Sequence, residues 1–446
     1  MKDKLIKSGQ WAVEQASSRG VEAESFVLHS AELSVEVTGG QVETLKQAEQ
    51  IGIGIRVLQG KQVGFSFTTD LSETALRDTF EKAVMGAKYT GEDEFNGFPG
   101  KPAEYPQMQT YDEEIHSTDL EAKIELAREA ERQARAVDKR VTVVERAGYE
   151  DSVYSIAIVN SRGVQAFQKG AYCGVYISLV AEENGDAQNG FSVMARKRIK
   201  EMDPVAVGKE GANIALRMLG AKSAPSASMP CILEPYVMTS FLNVLSDSFS
   251  ADAVQKGKSA LKGKVGQELA SKELVLVDDG IYEKGVGSFP FDGEGWPCQH
   301  TVLIEDGVLR GFLYDTYTAR KDKTVSTGNA SRGSFRGGPS VGTTNFYLQP
   351  GRLTPENLRK DIVKGLYITE VMGMHTANPI SGDFSVGASG IIIENGELKY
   401  PVRGLTIAGN LYGFLKDIDG IGNDLRFYGT TGAPSVRVKS LSIAGE

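Results

Sequence analysis

A tripeptide occurs twice in this chain, each time at the end of the same order of elements. Gly86-Ala87-Lys88 closes a helix-forming run that begins near Ser72, with Leu76, Phe80, Ala83 and Ala87 in line. Gly220-Ala221-Lys222 closes another, opened by Asp203 and Pro204 and carrying Val207, Gly211, Ile214 and Met218 on one side. Aspartate followed by proline starts a helix well, because the carboxylate accepts from an orphan N–H and the ring fixes φ. Ahead of each run the apolar period falls to two. Glu32–Val37, Gln41–Ala48, Gly52–Leu58 and Val63–Phe67 precede the first, broken at Gly39-Gly40 and Gly60. Val153–Val159, Val164–Gln168, Gly174–Val180 and Gly190–Val193 precede the second, broken at Asn160–Gly163 and Glu183–Gly185. These runs predict two hairpins and a closing helix per unit, and a helix introduces each, over residues 4–19 and Asp119–Val137. An order repeated in this way predicts an internal duplication.

The remainder reads differently. Tyr89–Thr110 dissolves into glycine and proline and predicts a linker; Ser223–Pro230 marks a second boundary. Beyond it come a strand at Cys231–Glu234 and a helix from Tyr236 to Val254. Strands and turns then run almost to the end, interrupted by one helix over Thr354–Gly365. At 446 residues the chain exceeds one ordinary core. We expect an α+β protein of three parts: a first unit with its linker (1–110), its internal repeat (111–222), and a β-rich C-terminal domain (223–446).

Composition narrows the function. The net charge is −9, and no lysine- or arginine-rich run tracks phosphates, which argues against direct nucleic-acid binding. No apolar run is long enough to span a bilayer, and the N-terminal residues lack a signal-peptide core. Cys173, Cys231 and Cys298 form no paired framework, as expected of a reducing cytoplasm. The four histidines, His29, His116, His300 and His375, are scattered, so no local zinc motif exists. There is no G-x-S-x-G elbow, no phosphate loop and no dinucleotide fingerprint. Two acidic pairs, Asp278-Asp279 and Asp292 with Glu294, could hold a metal, although acids in turns are most simply turn formers.

The C-terminal half nevertheless carries a set of short runs in a fixed order. They are Gly257–Gly263 with Gly266, Pro290–Gly295, Leu303–Leu309, Tyr317–Arg320, Ser326–Asn329, Ile380–Gly382, Ile393–Gly396 with Pro401-Val402, and Gly422–Asp424. In these runs the chain resembles the TldD/PmbA family, the "modulator of DNA gyrase" proteins. The resemblance implies a zinc peptidase in the TldD branch, built on a histidine-glutamate-x-x-x-histidine motif and a later cysteine. Those motif positions fall here on Leu242, Asn243 and Asp247, and the cysteine-bearing insertion between Asp424 and Gly432 is missing. The chain is therefore similar to the PmbA (TldE) branch, which has no catalytic motif residues and no metal of its own.

That branch implies a TldD-type partner carrying the zinc in a heterodimer, with a homodimer as the form taken alone. The implied substrates are small unfolded peptides, a microcin precursor and an antitoxin among them. Asp292, Glu294, Thr327, Asn329, Arg332 and His375 are the expected contribution of this chain to the substrate channel. Two other readings stay open: a regulator or scaffold of the gyrase-modulator kind, and an independent metal-dependent hydrolase using the acids of residues 289–297.

Overall fold

Strand alternation decides how the molecule is layered, because successive side chains of a strand point to opposite faces. The computed structural model describes residues 1–445. The first unit is α1 (Lys2–Ser18), β1 (Glu22–Thr38), β2 (Gln41–Gln59), β3 (Gln62–Thr68) and α2 (Glu73–Ala87). The second is a short turn, α3 (Glu113–Ser117), then α4 (Leu120–Val137), β4 (Val141–Asn160), β5 (Gln165–Glu183), β6 (Asp186–Arg196) and α5 (Pro204–Leu216). The order helix, three strands, helix occurs in both units, with fewer, longer strands than the sequence predicts. Gln41–Ala48 and Gly52–Leu58 form one strand, since Glu49 and Gln50 between them lie exposed and are no turn formers. Val164–Gln168 and Gly174–Val180 likewise fall on one strand, apart from Val164 itself; Gly170 between them makes room for the Tyr154 ring and does not turn the chain.

Both units belong to one antiparallel sheet, ordered β3-β2-β1-β4-β5-β6, with β1 and β4 paired from Glu24–Asn160 to Val37–Ala147. Each central strand serves two cores. Val27 of β1 and Ala157 of β4 pack with Leu5, Leu76 and Phe80 beneath α1 and α2. Further along, Leu33, Val35 and Val37 of β1 join Ile124, Ala127 and Ala134 beneath α4. Each core thus borrows apolar residues from the central strand of the other unit. The β1–β2 turn needs φ > 0 at both central residues, which Gly39 (φ 60) and Gly40 (φ 74) supply. Glu131 of α4, itself buried, accepts from the N–H groups of both glycines at 2.9 Å.

Even-numbered positions point away from the helices. Phe26 and Leu28 of β1, Ile156 and Ile158 of β4 and Ala166 of β5 join Phe291 and Phe335, so this face of the sheet is covered by the C-terminal half. There β7 (Ala227–Leu233) pairs with Lys364–Met372 and with Val436–Ala444; strands Asp383–Glu394 and Glu397–Asn410 continue the sheet. Glu397–Asn410 also pairs with Val436–Ala444, which closes five strands into a ring and removes their edges. Helix α6 (Pro235–Ser246) fills this core with Val237, Phe241 and Leu245, and Phe241 stacks on Phe414 at 5.1 Å. The helix expected to reach Val254 breaks at the 3-10 turn Asp247–Phe249, then resumes over Ala251–Gln255. The one expected over Thr354–Gly365 is only Pro355–Arg359, because Gly365 already lies in the next strand. Among the described residues no helix is long and apolar enough to cross a membrane.

Glu131 ties the helix of one unit to the turn of the other, so Glu131→Ala should lower stability by about 1–3 kcal/mol, the cost of leaving buried donors unpaired. Urea unfolding measures this, and an unchanged midpoint would show the contact to be idle.

Candidate functional site

The face of the sheet turned toward the C-terminal half carries two charged side chains that an apolar seam would not tolerate singly. Glu24 of β1 is 1% exposed and accepts from Arg56 of β2 through both oxygens, Nε to Oε1 at 2.9 Å and Nη2 to Oε2 at 2.8 Å. Arg56 also donates from Nη2 to Glu294 Oε1 at 2.8 Å, and Glu294 Oε2 accepts from the Thr316 backbone N–H at 3.0 Å. Arg332 completes the group, pairing through Nη2 with Glu24 and donating from Nε to the Gly293 carbonyl at 2.7 Å. Its guanidinium lies 5.0 Å from the centre of the Phe26 ring, and that of Arg56 lies 5.2 Å from the centre of the Phe98 ring. Burial would raise the Glu294 carboxyl, but Arg56 and the Thr316 donor hold it below the usual carboxylate range.

Behind this cluster the run Pro290–Trp296 folds onto its own aspartate. Asp292 Oδ1 accepts from the backbone N–H of Glu294 and of Trp296 at 2.9 Å each, and Oδ2 accepts from Ala330 N at 3.1 Å. Burial and the neighbouring Glu294 carboxylate push the Asp292 carboxyl up, against the pull of these donors. Asn329 reaches the other way. Its Nδ2 donates to Asp278 Oδ2 at 2.7 Å and to the Gly342 carbonyl at 3.0 Å, while Oδ1 accepts from Thr327 Oγ1 at 2.6 Å. Asp278 also accepts from Thr344 N and Oγ1 at 2.7 and 2.8 Å, and burial raises its carboxyl.

A cavity of about 260 Å³ opens between the halves, and Asp292, Asn329 and Arg332 stand in its wall. Of the residues expected to line a channel, Glu294 sits behind that wall in the ion cluster, and Thr327 acts through Asn329. His375 lies elsewhere, exposed in the turn Met374–Thr376. Sequence reasoning missed Glu24, Arg56 and Gln168. For Arg56 a signal existed: it is the one charged residue in the apolar strand run Gly52–Leu58, the pattern of a buried ion pair.

The positions where the resemblance places a zinc motif do not suit the metal. Leu242 is 1% exposed in the C-terminal core and has no ligating atom. Asn243 Oδ1 accepts from Thr431 Oγ1 at 2.6 Å, and an amide cannot act as the general base. Asp247 is exposed at the start of its 3-10 turn, and one carboxylate does not hold zinc. The acidic pairs are committed as well: Asp279 Oδ2 contacts His300 Nδ1 at 2.9 Å, and both oxygens of Asp292 accept backbone donors. Among the described residues no three His, Cys, Asp or Glu side chains converge to hold a metal ion. All three cysteines are buried, and burial pushes the Cys173 and Cys231 thiols up to about 12.

Residues 23–87, 113–219 and 226–445 match domain 1, the central domain and the C-terminal domain of PmbA/TldA metallopeptidases. "Metalloprotease PmbA" of Escherichia coli O157:H7 is 31% identical over 98% of this chain and 95% of its own length. A Thermotoga maritima structure named for modulation of a DNA gyrase superposes with a TM-score of 0.92 at 30% identity, covering 98% of this chain and 99% of that one. TldE from Thermococcus kodakarensis superposes with a TM-score of 0.90 at 25% identity, covering 99% of both chains.

Glu24 neutralises two arginines out of reach of water, so Glu24→Ala should cost about 3–5 kcal/mol, as removing one partner of a buried ion pair does. Replacing the exposed Glu397, paired with Lys399 on the surface, should leave the unfolding midpoint nearly unchanged. Equal losses in urea unfolding would refute the distinction.

Proposed function

The chain belongs to the PmbA/TldD family, and from that membership we propose that it is the PmbA/TldE-type subunit of a zinc peptidase, with the metal in a TldD-type partner. The observation that carries this reading is Leu242: where the zinc-binding branch needs an imidazole, this chain places a core leucine on α6. The chemistry of Asn243 and Asp247 supports it. Zinc would supply a polarised carbonyl and an activated water, and none of the three positions here can serve it. What the chain contributes is surface and enclosure. It forms a heterodimer with the partner and, by itself, a homodimer.

The substrate is an unfolded peptide. β2 pairs with β3 only from Ile53 onward, so no strand lies along the outer edge of residues 41–52 among the described residues. An extended chain can add to such an edge through main-chain hydrogen bonds that ignore sequence. In this reading the cavity where the halves meet, with Arg332 in its wall, is a second recognition surface. An independent hydrolase built on Asp292 gains no support, since both of its carboxylate oxygens hold the turn together.

A peptidase assay on an unstructured peptide tests the reading, run on the chain alone and with a TldD-type partner, with zinc measured in each sample. Cleavage should appear only in the mixture, with zinc following the partner. Stoichiometric zinc and turnover in the lone chain would overturn it.

A further inference from the structure

We propose that the cavity between the two halves binds an apolar peptide residue through its main-chain amide. Size comes first. An apolar cavity of about 150 Å³ is enough for benzene, so the 260 Å³ here has room for an aromatic side chain and an amide group. The walls suit such an occupant: Phe26 and Ile156 from the sheet face Phe289 and Phe291 from the C-terminal half.

Hydrogen bonding then selects the chemistry. Gln168 of β5 lines the cavity at 4% exposure, and neither atom of its carboxamide meets hydrogen-bonding geometry with a described group, although the Tyr154 phenol lies close beside it. Arg332, in the same wall with its side chain 1% exposed, has Nη1 without a partner among the described residues. The neighbouring Asp292 and Asn329 are fully engaged by backbone and side-chain partners. A buried donor or acceptor left unpaired costs about as much as a lost hydrogen bond, so these two open groups point to a ligand that closes them. A carboxamide carries two N–H donors and an acceptor oxygen, which match the N–H and C=O that one residue of an extended chain turns to the same side. The guanidinium adds a donor for a carbonyl. Burial disfavours the alternatives: the two carboxylates and two guanidiniums of the cluster already cancel, so a carboxylate or an amine would bring an uncompensated charge into the cavity, which costs more than burying an amide.

The cavity also has an approach. Gln168 and Phe291 line a second, outer groove of about 620 Å³, which runs past the linker at Tyr105–Met108 and past Lys169. An extended peptide lying in that groove would reach the inner chamber at Gln168. This deepens the peptide-handling role proposed above and concerns this chain alone, so the two readings fail separately. Cleavage with a partner can succeed while the chamber binds nothing, and the reverse.

The test titrates the full chain with N-acetyl-L-phenylalaninamide, N-acetyl-L-phenylalanine and toluene, followed by calorimetry and by the ligand-induced rise in melting temperature. The amide should bind saturably, at least tenfold tighter than the acid. Gln168→Met should weaken the amide at least tenfold and leave toluene unchanged. Ile156→Trp, which fills the chamber from the sheet wall beside Gln168, should abolish binding of all three, and it serves alone if the Gln168 variant does not fold. No saturable amide binding, equal affinity for amide and acid, undiminished affinity in Gln168→Met, or binding that survives Ile156→Trp would each overturn the proposal.

Discussion

The molecule depends on a carboxylate that no water reaches. Glu24 holds Arg56 and Arg332, and Arg56 in turn holds Glu294, so two strands of the N-terminal sheet and two loops of the C-terminal half meet in one ionic group. Burying four charges is unfavourable unless each is paired and its remaining positions hydrogen-bonded. Here the Thr316 N–H and the Gly293 carbonyl take part of what is left, and two aromatic rings cover the guanidinium faces. Such a group tolerates one arrangement of its partners. It therefore fixes the register of the two halves, where apolar packing alone would permit sliding.

The same seam explains why the glycine-rich runs of the C-terminal half look like turn chemistry and also line a cavity. Asp292 collects three backbone N–H groups and shapes the loop, and that loop sets the Gly293 carbonyl against Arg332. Arg320 reaches back from its helix to the Asn96 and Phe98 carbonyls of the linker, at 3.1 and 2.9 Å. Tyr105, farther along the linker, donates to the Gly295 carbonyl at 2.9 Å. The linker is thus pinned across the seam, and the outer groove runs beside it.

Helix α6 is held by apolar packing. The apolar face that builds the ring of strands, through Val237, Phe241 and Leu245, makes no use of a metal. Leu242 adds to that face, and Asn243 turns outward to Thr431. The fold is held by burial and strand closure, so family likeness in shape does not by itself assign the chemistry.

The sequence by itself determined the local elements and their order. Period-two runs, the Gly39-Gly40 turn, the Asp203-Pro204 start and the repeated Gly-Ala-Lys endings fix an α+β chain with two units of like order in its first half, because these signals act over a few residues. Strand length was less legible: a polar pair such as Glu49-Gln50 reads as a break when it is a solvated part of a longer strand. The short motifs flagged Asp292, Asn329 and Arg332, yet their spacing says nothing about what they face. Only the tertiary structure put Glu24, Arg56 and Gln168 opposite them, across 124 to 308 residues of chain. Which buried polar group finds a partner, and which is left open toward a cavity, is a property of two packed surfaces, and neither segment encodes it alone.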